Sequence, residues 1–134
     1  MKTIGIGVDI VDNKRIKSLI RNKHFIARIF SKKEILISKK YSNKTNFFSK
    51  RFAAKESFTK ALGTGFRNDL NFKNIEIIND KLGKPYYLIS PKIKKLIKIK
   101  KKISKFKLFL SISDEKDYSV SFTIIQKIWW FQKK

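Results

Sequence analysis

Cysteine is absent from the 134 residues, which excludes both a disulfide framework and a thiolate metal site. There is one histidine, His24, so imidazole clusters of the kind that hold zinc are excluded as well. Proline and glycine are scarce, at two and five residues, and no Pro- or Gly-rich linker divides the chain. No hydrophobic run is long enough to span a bilayer, and the opening MKTIGIGVDIVDN is too short and interrupted for a signal peptide. These absences fit a soluble protein of the cytoplasm with no transmembrane segment. The length fits one domain able to bury its own core.

Acid is the other shortage. Ten Asp and Glu stand against 33 Lys and Arg, a formal net charge of +23. Such a field attracts polyanions: nucleic acid, an anionic membrane or an acidic protein. The excess is mostly lysine, accompanied by abundant Ile, Asn and Phe. Residues of that kind share A- and T-rich codons, so drift in base composition is an equally available cause. Charge alone assigns no function.

Ile4, Ile6 and Val8 alternate with Gly5 and Gly7 and read as a short buried strand ending at Asp9. Asp12 or Asn13 can cap a helix that carries Ile16, Leu19 and Ile20. A second amphipathic turn holds Phe25, Ile26, Ile29 and Phe30, and Ser31 with Glu34 has capping-box spacing. Residues 42–46 (SNKTN) read as a loop before a helix that stops at Gly63, with Gly65 just beyond. Strands are expected around residues 75–78, 86–89, 106–113 and 118–125, with a short helix opened by Ser90 and Pro91. The lysine-dense residues 92–107 keep Ile and Leu at helical spacing and read as structured. The order predicts an α+β single domain, helices packed on a small mixed or antiparallel sheet.

The helix RFAAKESFTKALGTG carries more charge than a core helix needs. Glu56 and Lys60 are one turn apart, the spacing of an ordinary surface ion pair. Taken with Asp9 at the end of a glycine-rich strand, they admit a second reading. Two hard carboxylates without cysteine or histidine favour Mg²⁺ bridged to a phosphate. Lys55 and Lys60 would then lie close to phosphate oxygens, and the terminal glycines would leave room for a slender ligand.

Four blocks, GIGVDIVDNKRI, RFAAKESFTKALGTGFRN, NDKLGKPY and SISDEKDYSVSFTII, resemble in order and spacing the bacterial holo-[acyl-carrier-protein] synthases, the short 4′-phosphopantetheinyl transferases. The likeness covers residues 1–126, with residues 127–134 as an aromatic and basic extension. It implies transfer of 4′-phosphopantetheine from coenzyme A to a serine of apo-acyl carrier protein, releasing adenosine 3′,5′-bisphosphate, in fatty acid biosynthesis. By the same resemblance Asp9 and Glu56 are Mg²⁺ ligands, and Lys60 lies near the phosphates. Arg51, Phe52, Gly63, Gly65, Lys84, Pro85 and Ser111 fall in segments that line the coenzyme A cleft. The family docks its acidic carrier on the first helices, where Arg15 matches a docking arginine and Arg21 and Arg28 lie nearby. Members are usually homotrimers with active sites between subunits, the strand-end aspartate from one and the helix from the next.

Two departures from the family pattern stand out. Where many members carry a histidine, this chain has Phe109, Leu110 and Asp114, and His24 reads as a surface residue. The tail IWWFQKK, with Trp129 and Trp130, runs past the usual end; two tryptophans with terminal lysines could rest on a membrane surface, but packing on a neighbouring subunit or a sheet edge is the preferred expectation. The rival reading is a non-enzymatic RNA- or DNA-binding domain, motivated by the charge and by aromatics among lysines. No zinc-finger spacing, RRM signature or helix-turn-helix supports it, so no nucleic-acid partner is expected. A related transferase for larger carrier domains would be about twice as long with a duplicated half, and this chain has no repeat.

Overall fold

The computed structural model describes residues 1–63 and 71–129. Its first strand, β1 (Lys2–Asp12), is followed by three short helices: α1 (Asn13–Leu19), α2 (Lys23–Ile29) and α3 (Lys32–Ser38). The long helix α4 (Lys44–Leu62) comes next, then a 3₁₀ turn (Phe72–Asn74) and the hairpin β2 (Ile75–Asn79) and β3 (Pro85–Ile89). Helix α5 (Pro91–Lys101) leads to the hairpin β4 (Phe106–Asp114) and β5 (Tyr118–Lys127). The strands form two sheets, β1-β5-β4 and β2-β3, and every pairing is antiparallel. Short turns join both hairpins, and a short turn permits only antiparallel pairing.

The helix boundaries follow local chemistry. Asp12 accepts from the Lys14 amide at 2.9 Å and starts α1, while Ser31 and Glu34 close a full capping box on α3. Ser90 caps α5, with Pro91 in its first turn. Helix α4 begins inside the expected loop, because Asn43 Oδ1 accepts from the Asn46 amide at 2.9 Å. It ends at Gly63, whose φ of 83° is the left-handed cap conformation.

The expectation of a buried apolar face on β1 is overturned. Ile6, Val8 and Ile10 are 59%, 53% and 63% exposed, and it is the glycine side that faces inward. There β1 lies directly on the backbone of α4. A Cβ on Gly7 would stand 2.0 Å from the Ser57 carbonyl oxygen, and one on Gly5 2.3 Å from that of Ala61. Opposite the glycines and Asp9, β5 turns small hydroxyls inward: Thr123 pairs with Gly7 and Ser121 with Asp9. Ser57 Oγ lies 2.8 Å from Ser121 Oγ and 2.7 Å from Thr123 Oγ1, and Tyr87 donates to the Ala54 carbonyl at 2.6 Å. Buried polar groups on this seam are thereby satisfied.

A buried ion pair holds the other side of α4. Lys55 Nζ meets Glu34 Oε1 at 2.7 Å and donates to the carbonyls of Phe72 and Ile75 at 2.8 and 2.6 Å. Glu34 also accepts from the amides of Ser31 and Ile77, both at 3.0 Å. One pair thus ties α3, α4, the 3₁₀ turn and β2 together. Aromatic rings complete this half of the core, with Phe52 edge-on to Phe72 and tilted against Phe25.

Gly7→Ala tests the strand–helix contact. A methyl group there displaces backbone rather than a side-chain tip, so the expected loss is about 3 kcal/mol or more. Chemical denaturation would show the loss, together with a drop in whatever activity needs Asp9. An alanine variant as stable as the parent would refute the close packing.

Candidate active site

Asp9 leaves the inner face of β1 one residue pair beyond Gly7, at the level where α4 presents Glu56 and Lys60. Lys60 Nζ is 3.0 Å from Asp9 Oδ1 and donates to the Val8 carbonyl at the same distance. The Asp9 side chain is only 13% exposed and that of Lys60 is 53% exposed. Lys60 therefore pairs across to the strand. Among the described residues it has no ion pair along the helix to Glu56, which removes the ordinary surface-pair reading.

Glu56 is half-buried, and its carboxyl is held above the usual carboxylate range, first by burial and then by the negative charge of Asp9. Lys60 and Arg15 pull in the opposite direction, which places the α1 arginine in the field of this carboxylate. Two carboxylates that repel each other beside phosphate-seeking cations fit a divalent cation with oxygen preference. Among the described residues no cluster of three His, Cys, Asp or Glu exists. Magnesium suits that donor set, since it is commonly held by one or two carboxylates with water and substrate phosphate completing its shell. Asp9 and Glu56 are the residues that would hold it.

The other expected site residues divide. Arg51 is 4% exposed and stacks over the Phe47 ring at 3.7 Å, and its Nη2 donates to Asn79 Oδ1 at 2.6 Å. Burial lowers its pKa, against the pull of Glu34 and Tyr41, and its Nε has no hydrogen-bond partner among the described residues. With Pro85 it lines a cavity of about 160 Å³ that Tyr41, Lys50 and Asn79 also reach. Lys84 is exposed in the β2–β3 turn, where its amide donates to Asp80 Oδ1. Gly63 is exposed at the end of α4, and Gly65 lies outside the described residues. Arg15, Arg21 and Arg28 are all exposed, on α1, just after it and on α2. His24 is exposed too.

Three expectations are corrected. Lys55 does not approach a ligand: it is fully buried in its pair with Glu34. Phe52 is a buried core residue between Phe25 and Phe72 and, among the described residues, lines none of the three concavities. Asp9 and the helix bearing Glu56 come from the same chain, not from neighbouring subunits, because the two glycines seat β1 on its own α4. Ser111 pairs with Phe122 on the exposed sheet face, away from Asp9. Sequence reasoning missed Tyr41, Lys50 and Asn79, which come from three segments and meet only around Arg51. A larger hollow of about 940 Å³ lies between α1, the start of α4 and the β4–β5 turn, but none of the three site residues lines it.

The 4′-phosphopantetheinyl transferase superfamily matches residues 5–123 of the chain. The chain belongs to this superfamily. It is 61% identical over 127 residues to the holo-[acyl-carrier-protein] synthase of Pelagibacter ubique, covering 95% of this chain and 99% of that protein. Its fold is similar to the crystal structure of the holo-[acyl-carrier-protein] synthase from Neisseria meningitidis, with a TM-score of 0.84 and 40% identity over 93% and 99% of the two chains. It is also similar to the Bacillus anthracis synthase solved in complex with CoA (3′,5′-ADP), with a TM-score of 0.79 and 32% identity over 96% and 100%. The superfamily match contains Asp9, Glu56 and Lys60 and stops within β5, short of the aromatic tail.

The raised Glu56 pKa has a stability consequence. A carboxyl whose pKa rises on folding binds its proton more tightly when folded, so its ionised form opposes folding above that pKa. Glu56→Gln therefore raises Tm in metal-free buffer at neutral pH. The gain disappears as the pH falls below the ordinary carboxylate value of 4.5, where both versions are neutral. A Tm difference that ignores pH would contradict the assignment.

Proposed function

We propose that this chain transfers the 4′-phosphopantetheine group of coenzyme A to a serine hydroxyl of apo-acyl carrier protein and releases adenosine 3′,5′-bisphosphate. The observation that carries this reading is the meeting of Asp9, Glu56 and Lys60 at one point in a chain of this superfamily. The serine oxygen forms a bond to the phosphorus that bears pantetheine, and the diphosphate P–O bond to the nucleotide breaks. Magnesium bound by Asp9 and Glu56 would neutralise charge on the diphosphate. The serine proton would leave through water held at the site, with Glu56 as a candidate to receive it. Lys60, anchored through Val8 and Asp9 but half exposed, offers its ammonium to the oxygens of the departing nucleotide. Arg51, which lines a small cavity with Lys50 and Asp114, supports a contact with a polar part of the nucleotide. The nucleic-acid alternative rested on charge and on aromatics among lysines, and it gives way to the superfamily assignment.

Arg15 supports docking of the acidic carrier at the mouth of the site, since Glu56 feels its charge. Opposite fields speed encounter and set orientation more than they add affinity. The exposed apolar face formed by Ile6, Val8, Ile10, Phe109 and Phe122 supports a homotrimer. Burial of that face against neighbours would bring Ser111 to an adjoining site. No described helix is long and apolar enough to cross a membrane.

Intact-mass measurement of apo-acyl carrier protein after incubation with coenzyme A, Mg²⁺ and this chain tests the reaction. A phosphopantetheine increment is expected, and its loss by at least about a hundredfold in rate is expected for Asp9→Ala and Glu56→Ala. No increment with a competent carrier would sink the proposal. For the assembly, Ile6→Lys should convert trimers to monomers by light scattering and lower kcat/KM. A fully active monomeric parent would refute the trimer.

A further inference from the structure

A second concavity has nothing to do with the carboxylate pair. Between β3, α5 and β4 runs a groove of about 490 Å³, within the size range of small-molecule sites. Its floor is apolar, made by Tyr87, Ile89, Phe106, Leu108 and Ile128. Its rim carries Lys94, Lys98 and Lys105, and no acid lines it. The charge extends well beyond the groove. Residues 81–113 hold eleven lysines and no Asp or Glu. On α5 itself Ile93 and Ile97 are fully buried, which turns Lys92, Lys94, Lys95, Lys98 and Lys100 to solvent. Among them Ile99 stands 65% exposed.

We propose that this face docks on an anionic phospholipid surface, with headgroup phosphates on the lysines and apolar lipid at the groove. Two observations select that partner. The exposed lysines of α5 together with Lys105 exceed what a single anionic head would engage, and match a surface of many phosphates. The apolar floor and exposed Ile99 suit the boundary between headgroups and acyl chains, and they have no complement in an RNA backbone. The surface is also open in an assembly built on the other side of the sheet. Phe106 and Leu108 have the strand parity of Leu110 and Ile112, which face the helices, whereas Phe109 lies on the exposed face. A contact carried by exposed lysines on headgroup phosphates is peripheral and salt-sensitive.

Co-sedimentation of the full chain with vesicles tests this. Vesicles containing phosphatidylglycerol should pellet the chain, and vesicles of phosphatidylcholine alone should not. Lys94→Glu with Lys98→Glu and Lys105→Glu should weaken binding by about tenfold or more. The same charge change at exposed Lys33, Lys39 and Lys40 should weaken it far less. Ile89→Trp, which fills the groove without changing charge, should lower the fraction that stays bound at high salt. Carrier modification in solution should be unaffected by the groove variants, which confirms that they fold. Failure to pellet, equal weakening by the two lysine sets, or tighter binding to a single-stranded RNA homopolymer than to the vesicles would each overturn the proposal.

Discussion

The site depends on bare backbone touching bare backbone. Gly5 and Gly7 bring β1 against α4 so closely that a Cβ at either position would fall inside a helix carbonyl. That contact fixes two things together: the depth of the strand beneath the helix, and the level at which Asp9 emerges beside Glu56 and Lys60. Side chains of ordinary size would hold the strand several ångströms further away, and the carboxylates would not share one field. The hydroxyls of Ser121 and Thr123 on β5, with Ser57 on α4, serve the same end. They are small enough for the helix to settle and polar enough to bond one another once buried.

Helix α4 sorts its charges by angle. Successive residues turn by about 100°, so Glu56 and Lys60 lie about 40° apart while Lys55 and Lys60 differ by about 140°. The geometry sends Lys55 into the interior, where Glu34 and two carbonyls compensate its desolvation, and leaves Lys60 at the surface above Asp9. Removal of either member of such a buried pair strands the other as an uncompensated charge, so the pair is costly to break even where its net contribution is small. The helix is thus clamped on one side by ionic bonds and on the other by glycine contact. Its functional residues stand on the stripe between them.

Local signals in the sequence were read well wherever chemistry is local. The caps at Asp12, Ser31 and Ser90 and the stop at Gly63 need only a few neighbouring residues, and each stands in the structure as read. Readings failed where the partner is remote. Alternating Ile and Gly at the start of β1 looks like an apolar face turned inward, yet the helix backbone requires the glycines there and exposes Ile6 and Val8. Lys55 was misplaced although helix angle alone separates it from Lys60. Asp9 and Glu56 are joined by nothing in their own segments. The family resemblance linked them, and the fold explains how they meet within one chain. The cavity around Arg51 was only partly foreseen, because Tyr41 and Asn79 carry no signal until β2 folds beside α4.

In a chain so short of acids, the acids are the informative residues. A lysine on a solvated face is tolerated almost anywhere, so base-composition drift can add many without disturbing the fold. Several of the described carboxylates have a clear structural partner. Glu34 holds Lys55, Glu76 accepts from Ser31, Asp80 closes the β2–β3 turn, Asp12 caps α1, and Asp114 accepts from Asn46. Asp9 and Glu56 differ from these. Glu56 is held at a cost from burial and from the charge of Asp9, and Lys60 offsets only part of it. An arrangement that is electrostatically unfavourable alone, kept by a rigid glycine seam, is what a site for a cation and a phosphate requires. Lysine becomes informative by the same reasoning only where a second feature accompanies it: a strand carbonyl and carboxylate for Lys60, and an apolar floor for the lysines along α5.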